Sequence, residues 1–352
     1  MIDMTLDEIR ERVITGSEVK DSPYHFLKEN VHLGNHLILV GLGGSYAYGT
    51  NVEMSDVDIR GCALNSKMEI LTNENFEQFT NEETDTVIYS FNKFVSLLIN
   101  VNPNVIEMLG LRPDHYLYKS KIGQELLDNR NLFLSKKCIH SFGGYANAQL
   151  YRLRKREEHS MGQAQLETHI LKTLEFMRED FNKTFSEIPG DQLRLYIDKS
   201  DKEEMETEIF MDVSLHHYPL RDYCGLWNSL QTTAKSYNKL GKRNEKALEH
   251  GKLGKHMMHL VRLYLMCFDI LEKGEIITCR EKDHDFLMEI RNGKYLTDDN
   301  MVLPEFYDIV ASYEKRLEYA KENTDIPEKP DYKRIKEFVA SVNERVVNGE
   351  AY

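Results

Sequence analysis

Residues 36–64 read HLILVGLGGSYAYGTNVEMSDVDIRGCAL, and the fold turns on them. His36 to Leu42 is an apolar run of strand length that closes on glycines, and from Ser55 to Leu64 the residues Val57, Ile59 and Cys62 are interleaved with polar ones. The simplest reading is strand, glycine turn, short helix, strand. Side chains alternate along a strand, so Asp56 and Asp58 project together from one face, and two carboxylates side by side call for positive charge between them. Hard oxygen donors of this kind suit magnesium, which binds through one or two carboxylates plus substrate phosphates. The turn at Gly43-Gly44-Ser45 fits the other half of such a site. Glycine lets backbone N–H groups approach a phosphate, and a helix starting there favours negative charge.

Rival glycine motifs fail on inspection. A dinucleotide fingerprint needs a third glycine where Tyr46 stands, and a P-loop needs Gly-Lys-Ser/Thr after its gap, which the run from Gly41 lacks. The bland alternative is a plain tight turn followed by a solvated strand face. The order and spacing of Gly44-Ser45 and Asp56-Val57-Asp58 weigh against it.

At these residues the chain resembles the DNA polymerase β-like nucleotidyltransferase superfamily, marked by Gly-Ser at the start of a short helix and then a strand carrying Asp-x-Asp. It is most similar to predicted nucleotidyltransferases whose motif continues Ala-Tyr-Gly and Ser-Asp-x-Asp-x-Arg-Gly, matched by Ala47-Tyr48-Gly49 and Ser55 to Gly61. The resemblance runs more loosely through Asp85 to Leu109 and into Lys255 to Ile276. It implies an α+β fold, a small mixed β-sheet nucleotidyltransferase domain with flanking helices followed by a mainly α-helical domain.

The rest of the chain is read around that nucleus. Thr5-Leu6-Asp7-Glu8 is a capping box opening a short amphipathic helix. Asn65 to Glu83 is polar and acidic, with a short strand expected near Met68 to Leu71. Thr84 to Ser90 alternates again, so Asp85 begins a strand. The superfamily takes a third acidic residue from the next strand, and Asp85 matches it by position, with Glu83 the nearest competitor. Asn102-Pro103-Asn104 stops the helix of Phe91 to Val101 ahead of a second apolar helix, Val105 to Leu111.

From Lys119 onward the pattern is helical almost throughout, so a boundary is expected at Arg112-Pro113-Asp114, giving a catalytic domain over 1–115 and a helical one over 116–352. The expected helices are Lys119 to Asp128, Ser135 to Glu157, Gln163 to Lys183, Asp222 to Leu240, Glu245 to Lys273, Asp283 to Gly293, Pro304 to Asn323 and Tyr332 to Asn348. Between Pro189 and Pro219 the composition turns acidic with weak periodicity, which reads as a solvated insertion.

The net charge of -13 argues against a protein coated in nucleic-acid-binding surface, but 235–262 reverses the sign and is a local patch able to meet phosphates. Within it Lys255, His259 and Arg262 fall on one stripe of an otherwise apolar helix. Such a stripe needs carboxylates of the protein or phosphates in a cleft, and the two remain equal for His259 and Arg262, while the resemblance draws Lys255 toward substrate. A second basic run, Arg152 to Arg156, reads as a solvated helix face. Five scattered cysteines with no C-x-x-C pair read as core thiols in a reducing compartment, and no zinc spacing appears among the histidines. With no signal-like start and no long apolar window, a soluble cytoplasmic protein without membrane contact is expected.

The resemblance implies transfer of a nucleoside monophosphate from a triphosphate, ATP first among them, to an acceptor hydroxyl on an RNA end, a small molecule or a protein, with release of pyrophosphate. Mg²⁺ or Mn²⁺ would be held by Asp56, Asp58 and Asp85, and Gly44, Ser45 and Lys255 would meet the phosphates. Arg60 shares the metal face by alternation, either tethering the aspartates or orienting nucleotide. The alternative is a catalytically weak, nucleotide-binding regulator of the same fold.

Overall fold

The computed structural model describes residues 4–146 apart from 54, 73, 75 and 144, then 192–199, 207–225, 252–297 and 302–351, with isolated positions at 153, 168, 171, 172, 186, 227, 228 and 231. The chain opens with α1 (Leu6–Arg10), which runs into a wider π turn over Glu11–Thr15. Its N-terminus is closed by the expected capping box: the Glu8 N–H donates to the Thr5 hydroxyl at 3.3 Å and the Thr5 N–H to the Glu8 carboxylate at 2.7 Å. There follow α2 (Phe26–Glu29), β1 (Leu37–Leu42), α3 (Gly44–Tyr48), β2 (Ile59–Ala63), α4 (Lys67–Thr72), β3 (Gln78–Asn81), β4 (Thr86–Ser90), α5 (Phe91–Ile99), α6 (Pro103–Ile106), β5 (Tyr116–Lys119) and α7 (Lys121–Asp128). Beyond them lie β6 (Leu193–Lys199), β7 (Thr207–Val213), α8 (Lys252–Phe268), α9 (His284–Arg291), α10 (Pro304–Asn323) and α11 (Tyr332–Asn348).

Five strands form a mixed sheet in the order β3-β4-β2-β1-β5. β1 is antiparallel to β2 and β5, β2 is parallel to β4, and β3 is antiparallel to β4. β1, between β2 and β5, is apolar without alternation because both its faces are covered. Ile38 and Leu39 join one core with Phe91, Phe94, Leu98, Leu126, Leu263, Cys267, Ile335 and Val342. Val40 and Leu42 join another with Ile9, Val13, Leu27, Ala47 and Ile59. Helices from both ends of the sequence thus cover the sheet.

Several expectations are corrected. The strand expected from Ser55 begins only at Ile59, because Val52 to Ser55 closes a turn, the Ser55 N–H donating to the Val52 carbonyl at 2.7 Å. Met68 to Leu71 is helical. Ser66 and Glu69 cap that helix reciprocally, and the Glu69 carboxylate is buried against His32 at 2.6 Å. Asp85 precedes β4 in the hairpin turn. Tyr116–Lys119, at the expected domain boundary, pairs with β1 as an edge strand.

The chain divides into two compact units. One comprises Met1–Leu150, Gly254–Thr297 and Leu303–Tyr352, the other Tyr151–Leu253 and Asp298–Val302. The reason is packing: Leu263, Met266, Ile270, Ile335 and Val346 share a core with Phe91 and Phe94. In the second unit the acidic stretch contains an antiparallel hairpin, β6 against β7, with Tyr196 stacked on Phe210. Asp201, Glu203, Glu204 and Glu206, the run Arg152, Arg154, Lys155 and Arg156, and most of the helices expected over 147–183 and 229–251 lie outside the described residues.

Candidate active site

The site is built where β1 ends. Leu42 pairs with Ile59, so the chain leaves β1 beside the point where it enters β2, and the Gly43 N–H donates to the Asp58 carbonyl at 2.8 Å. The Asp58 side chain then lies across the glycine turn. A Cβ on Gly44 would stand 1.9 Å from Asp58 Oδ2, and one on Gly43 would stand 2.9 Å from Arg60 Cγ. Gly44 also has φ 54°, which an L side chain resists. Glycine is required here by the carboxylate overhead. α3 follows and ends on Gly49 in the left-handed conformation, φ 72°.

Arg60, the second residue of β2, reaches back along its own strand. Its Nη2 donates to Asp58 Oδ1 at 3.0 Å and Asp85 Oδ1 at 3.2 Å, while Nη1 donates to the carbonyls of Ile59 at 2.9 Å and Asp85 at 2.5 Å. Asp85 is a non-glycine residue at φ 43°, held there by two donors to its carbonyl, the Arg60 guanidinium and the Ile59 N–H at 3.0 Å. Arg60 thus ties the Asp58 carboxylate to that of Asp85.

The Asp58 carboxyl is pushed up to about 7. Burial is the main cause, then the hydrogen bond it shares with the Asp85 carboxyl and the charge of Asp85, while Arg60 and the Lys255 ammonium pull the other way. Asp58 and Asp85 thus form a close carboxyl pair with one side open, the Asp85 side chain being 54 % exposed. Asp56 is exposed on the loop before β2, and among the described residues no three His, Cys, Asp or Glu side chains converge in a group able to hold a metal ion. Glu83, the competitor of Asp85, is exposed in the β3–β4 turn.

Of the basic stripe on α8, Lys255 is exposed, and its charge draws the Asp58 carboxyl down against the effect of burial. His259 packs edge-on to the Tyr48 ring at 6.0 Å, and burial holds its imidazole well below the usual range and so neutral. Arg262 is buried, 3 % exposed, with Nη1 3.3 Å from the Glu107 carboxylate and its guanidinium 3.6 Å over the Tyr48 ring. For Arg262 the protein-carboxylate alternative is the one realised. Residues 235–251 of the expected basic patch lie outside the described residues.

Two neighbours escaped the reading of the sequence, and a third, Tyr48, entered it only as a motif position. Arg291, ending α9, donates to the Thr50 carbonyl at 2.7 Å, and its own carbonyl packs where a Cβ on Gly254 would be 2.2 Å away. Tyr48 donates its hydroxyl to Glu107 at 2.9 Å. For Glu107 a signal existed: it is the one carboxylate in the apolar run VIEMLGL, residues 105–111. For Arg291 none did, since nothing local marks it.

A cavity of about 740 Å³ opens at the other end of β1, lined by Ile38, Tyr118, Ile122 and Arg345 among others, and so away from the glycine turn. No helix among the described residues is long and apolar enough to cross a membrane.

No curated protein matches the chain. A family model does: RlaP, described as RNA repair pathway DNA polymerase beta family, matches residues 20–177. The matched segment contains β1 to β5, the glycine turn, Asp56, Asp58, Arg60 and Asp85. On that match and this mixed sheet, the segment is assigned to the DNA polymerase β-like nucleotidyltransferase superfamily.

Proposed function

We propose that the protein transfers a nucleoside monophosphate from a nucleoside triphosphate to the hydroxyl of an RNA end, releasing pyrophosphate. The observation that carries the reading is the Asp58–Asp85 carboxyl pair set against a glycine turn that only glycine can occupy. Two carboxyls gathered on one guanidinium form a hard oxygen site that a divalent cation fits. Asp58 and Asp85, joined by Asp56 from its exposed loop, would hold Mg²⁺ or Mn²⁺, which neutralises triphosphate oxygens and acidifies the acceptor hydroxyl.

The protein's own groups do the rest. Gly44 and Ser45 receive the phosphates with backbone N–H groups at the start of α3, and Lys255 offsets the charge that builds on the leaving pyrophosphate. Asp85, the more exposed of the pair, takes the acceptor proton as the oxygen attacks the α-phosphorus and the bond to the β-phosphate breaks. Arg60 keeps both carboxylates in place without touching substrate. Among RNA, small-molecule and protein acceptors, the family's description as an RNA repair pathway favours RNA.

The test is incubation of the pure protein with each α-labelled triphosphate, Mg²⁺ or Mn²⁺, and RNA ending in a 3′-hydroxyl or a 3′-phosphate, beside Asp56→Ala/Asp58→Ala. Label on the hydroxyl-ended RNA that vanishes in the double variant supports the reading. Triphosphate binding without transfer to any acceptor would point instead to a nucleotide-binding regulator.

A further inference from the structure

Tyr48 stands in the Ala47-Tyr48-Gly49 step that follows the glycine turn, and it touches no reacting group in the scheme above. Yet three separate segments meet on it. Its hydroxyl donates to Glu107, at 3.1 Å to Oε1 and 2.9 Å to Oε2. Arg262 of α8 lies over its ring at 3.6 Å and also reaches Glu107, and His259 meets the ring edge-on. Its carbonyl accepts from the Arg280 N–H at 3.0 Å, on the segment that follows α8. That segment is fastened twice more, by the Thr278 hydroxyl donating to the Glu107 carbonyl at 2.6 Å and by the Arg280–Asp269 ion pair.

The groups that carry the ionic contact are buried, Tyr48 at 4 %, Glu107 at 5 % and Arg262 at 3 % exposed. An ionic network in such a place seldom exceeds apolar packing in stability, and its best-attested use is to fix register. Register is what α8 needs. Its apolar side chains, Met257, Leu260 and Val261, would tolerate a small rotation or slide, but the exposed Lys255 must face Asp58. At about 100° per residue, Lys255, His259 and Arg262 fall within a sector of about 60°, so holding the last two fixes the azimuth of the first.

We propose that Tyr48 and Glu107, through Arg262, are positioning residues that set Lys255 against Asp58 and thereby govern capture of the triphosphate. This rests on the nucleotidyl-transfer reading. The Tyr48 hub ties the helix that carries Ser45 to the helix that carries Lys255, so the two phosphate-facing groups move as one.

The experiment is a steady-state double-mutant cycle on the full chain, Glu107→Gln with Lys255→Ala. Each variant is first checked for a cooperative melt, and KM for triphosphate is read separately from kcat. Glu107→Gln alone should raise KM about tenfold with kcat within about threefold, and in the Lys255→Ala background it should add less than about twofold, because the same contact is already gone. Equal losses in the two backgrounds, or a loss confined to kcat, would overturn the proposal. If Glu107→Gln does not fold, Tyr48→Phe keeps the ring beneath Arg262 and removes only the hydroxyl. A rise of about threefold in its KM is expected, and an unchanged KM in that folded variant overturns the proposal. Wild-type protein that neither binds nor transfers triphosphate would instead remove the parent reading, an outcome visible before any variant is made.

Discussion

Asp58→Asn should make the metal-free protein more stable while removing its activity, and the gain should depend on pH. In the unfolded chain an aspartate titrates at about 3.9. In the fold Asp58 does so at about 7, because burial and the Asp85 carboxyl both favour its protonated form. Between those values the folded state binds more protons than the unfolded state, so stability is lost as pH rises through the window and stays low above it. Full linkage over roughly three pH units is worth about 4 kcal/mol at 1.36 kcal/mol per unit. Part of the rise belongs to the contact with Asp85, and Asn also forfeits the charge that faces Arg60, so about 2 kcal/mol between pH 5 and pH 8 is the expected share. Asn resembles the protonated acid, so its advantage over wild type should be small at pH 5 and near its maximum at pH 8. Thermal melts of both proteins in EDTA read the effect, with a difference of roughly 2–4 °C per kcal/mol at most for a chain of this size. Millimolar Mg²⁺ should then erode the advantage at pH 8, since only wild type gains from binding the cation. An Asn variant equally or less stable than wild type at pH 8 in EDTA, or a gain that does not change with pH, would refute the account of Asp58.

Gly44→Ala places a methyl 1.9 Å from Asp58 Oδ2 at φ 54°, so transfer activity should fall by at least about 100-fold with a lowered melting temperature, whereas wild-type stability with intact activity would show that Asp58 does not cross the turn. Arg60→Lys replaces a fork that reaches both Asp58 and Asp85 with a single ammonium. Metal affinity should weaken a few-fold with KM for triphosphate nearly unchanged, and a rise in that KM would mean that Arg60 meets nucleotide. Asp269→Asn removes one of the two carboxylates on the buried Arg280 guanidinium and leaves Asp283, so it should cost about 2 kcal/mol in urea unfolding, against well under about 1 kcal/mol if solvent reaches the pair.

The parts of this site that sequence made legible were those set by local chemistry. The apolar run His36 to Leu42 announced a strand, and the glycines announced a close approach, although what approaches is Asp58 itself. The face shared by Asp56 and Asp58 was inferred from strand alternation, and the strand starts at Ile59, past both of them. What groups Asp58 with Asp85 is the parallel pairing of β2 with β4, in which Ile59 meets Thr86, a long-range register that no single stretch encodes. Met68 to Leu71 looked like a strand by its apolar content, but Ser66 and Glu69 closed a capping box and won. The basic stripe on α8 was visible by periodicity. Its division into one exposed cation, one neutral imidazole and one buried ion pair depended on Glu107 and Tyr48, distant in sequence.

One core collects Phe91, Phe94 and Leu98 from the first third of the chain with Leu263, Cys267, Ile335 and Val342 from the last. As the chain emerges from a ribosome, the sheet can pair its strands while one of its faces still lacks its cover, and more than two hundred residues separate Phe94 from Ile335. Contacts of such sequence separation make closure slow and leave apolar surface open in the meantime. Expression yield, rather than catalysis, is therefore where a conservative change at Val342 or Ile335 should show first, and a carboxyl-terminal truncation within α11 should send the nascent protein to chaperones with its catalytic motif fully intact.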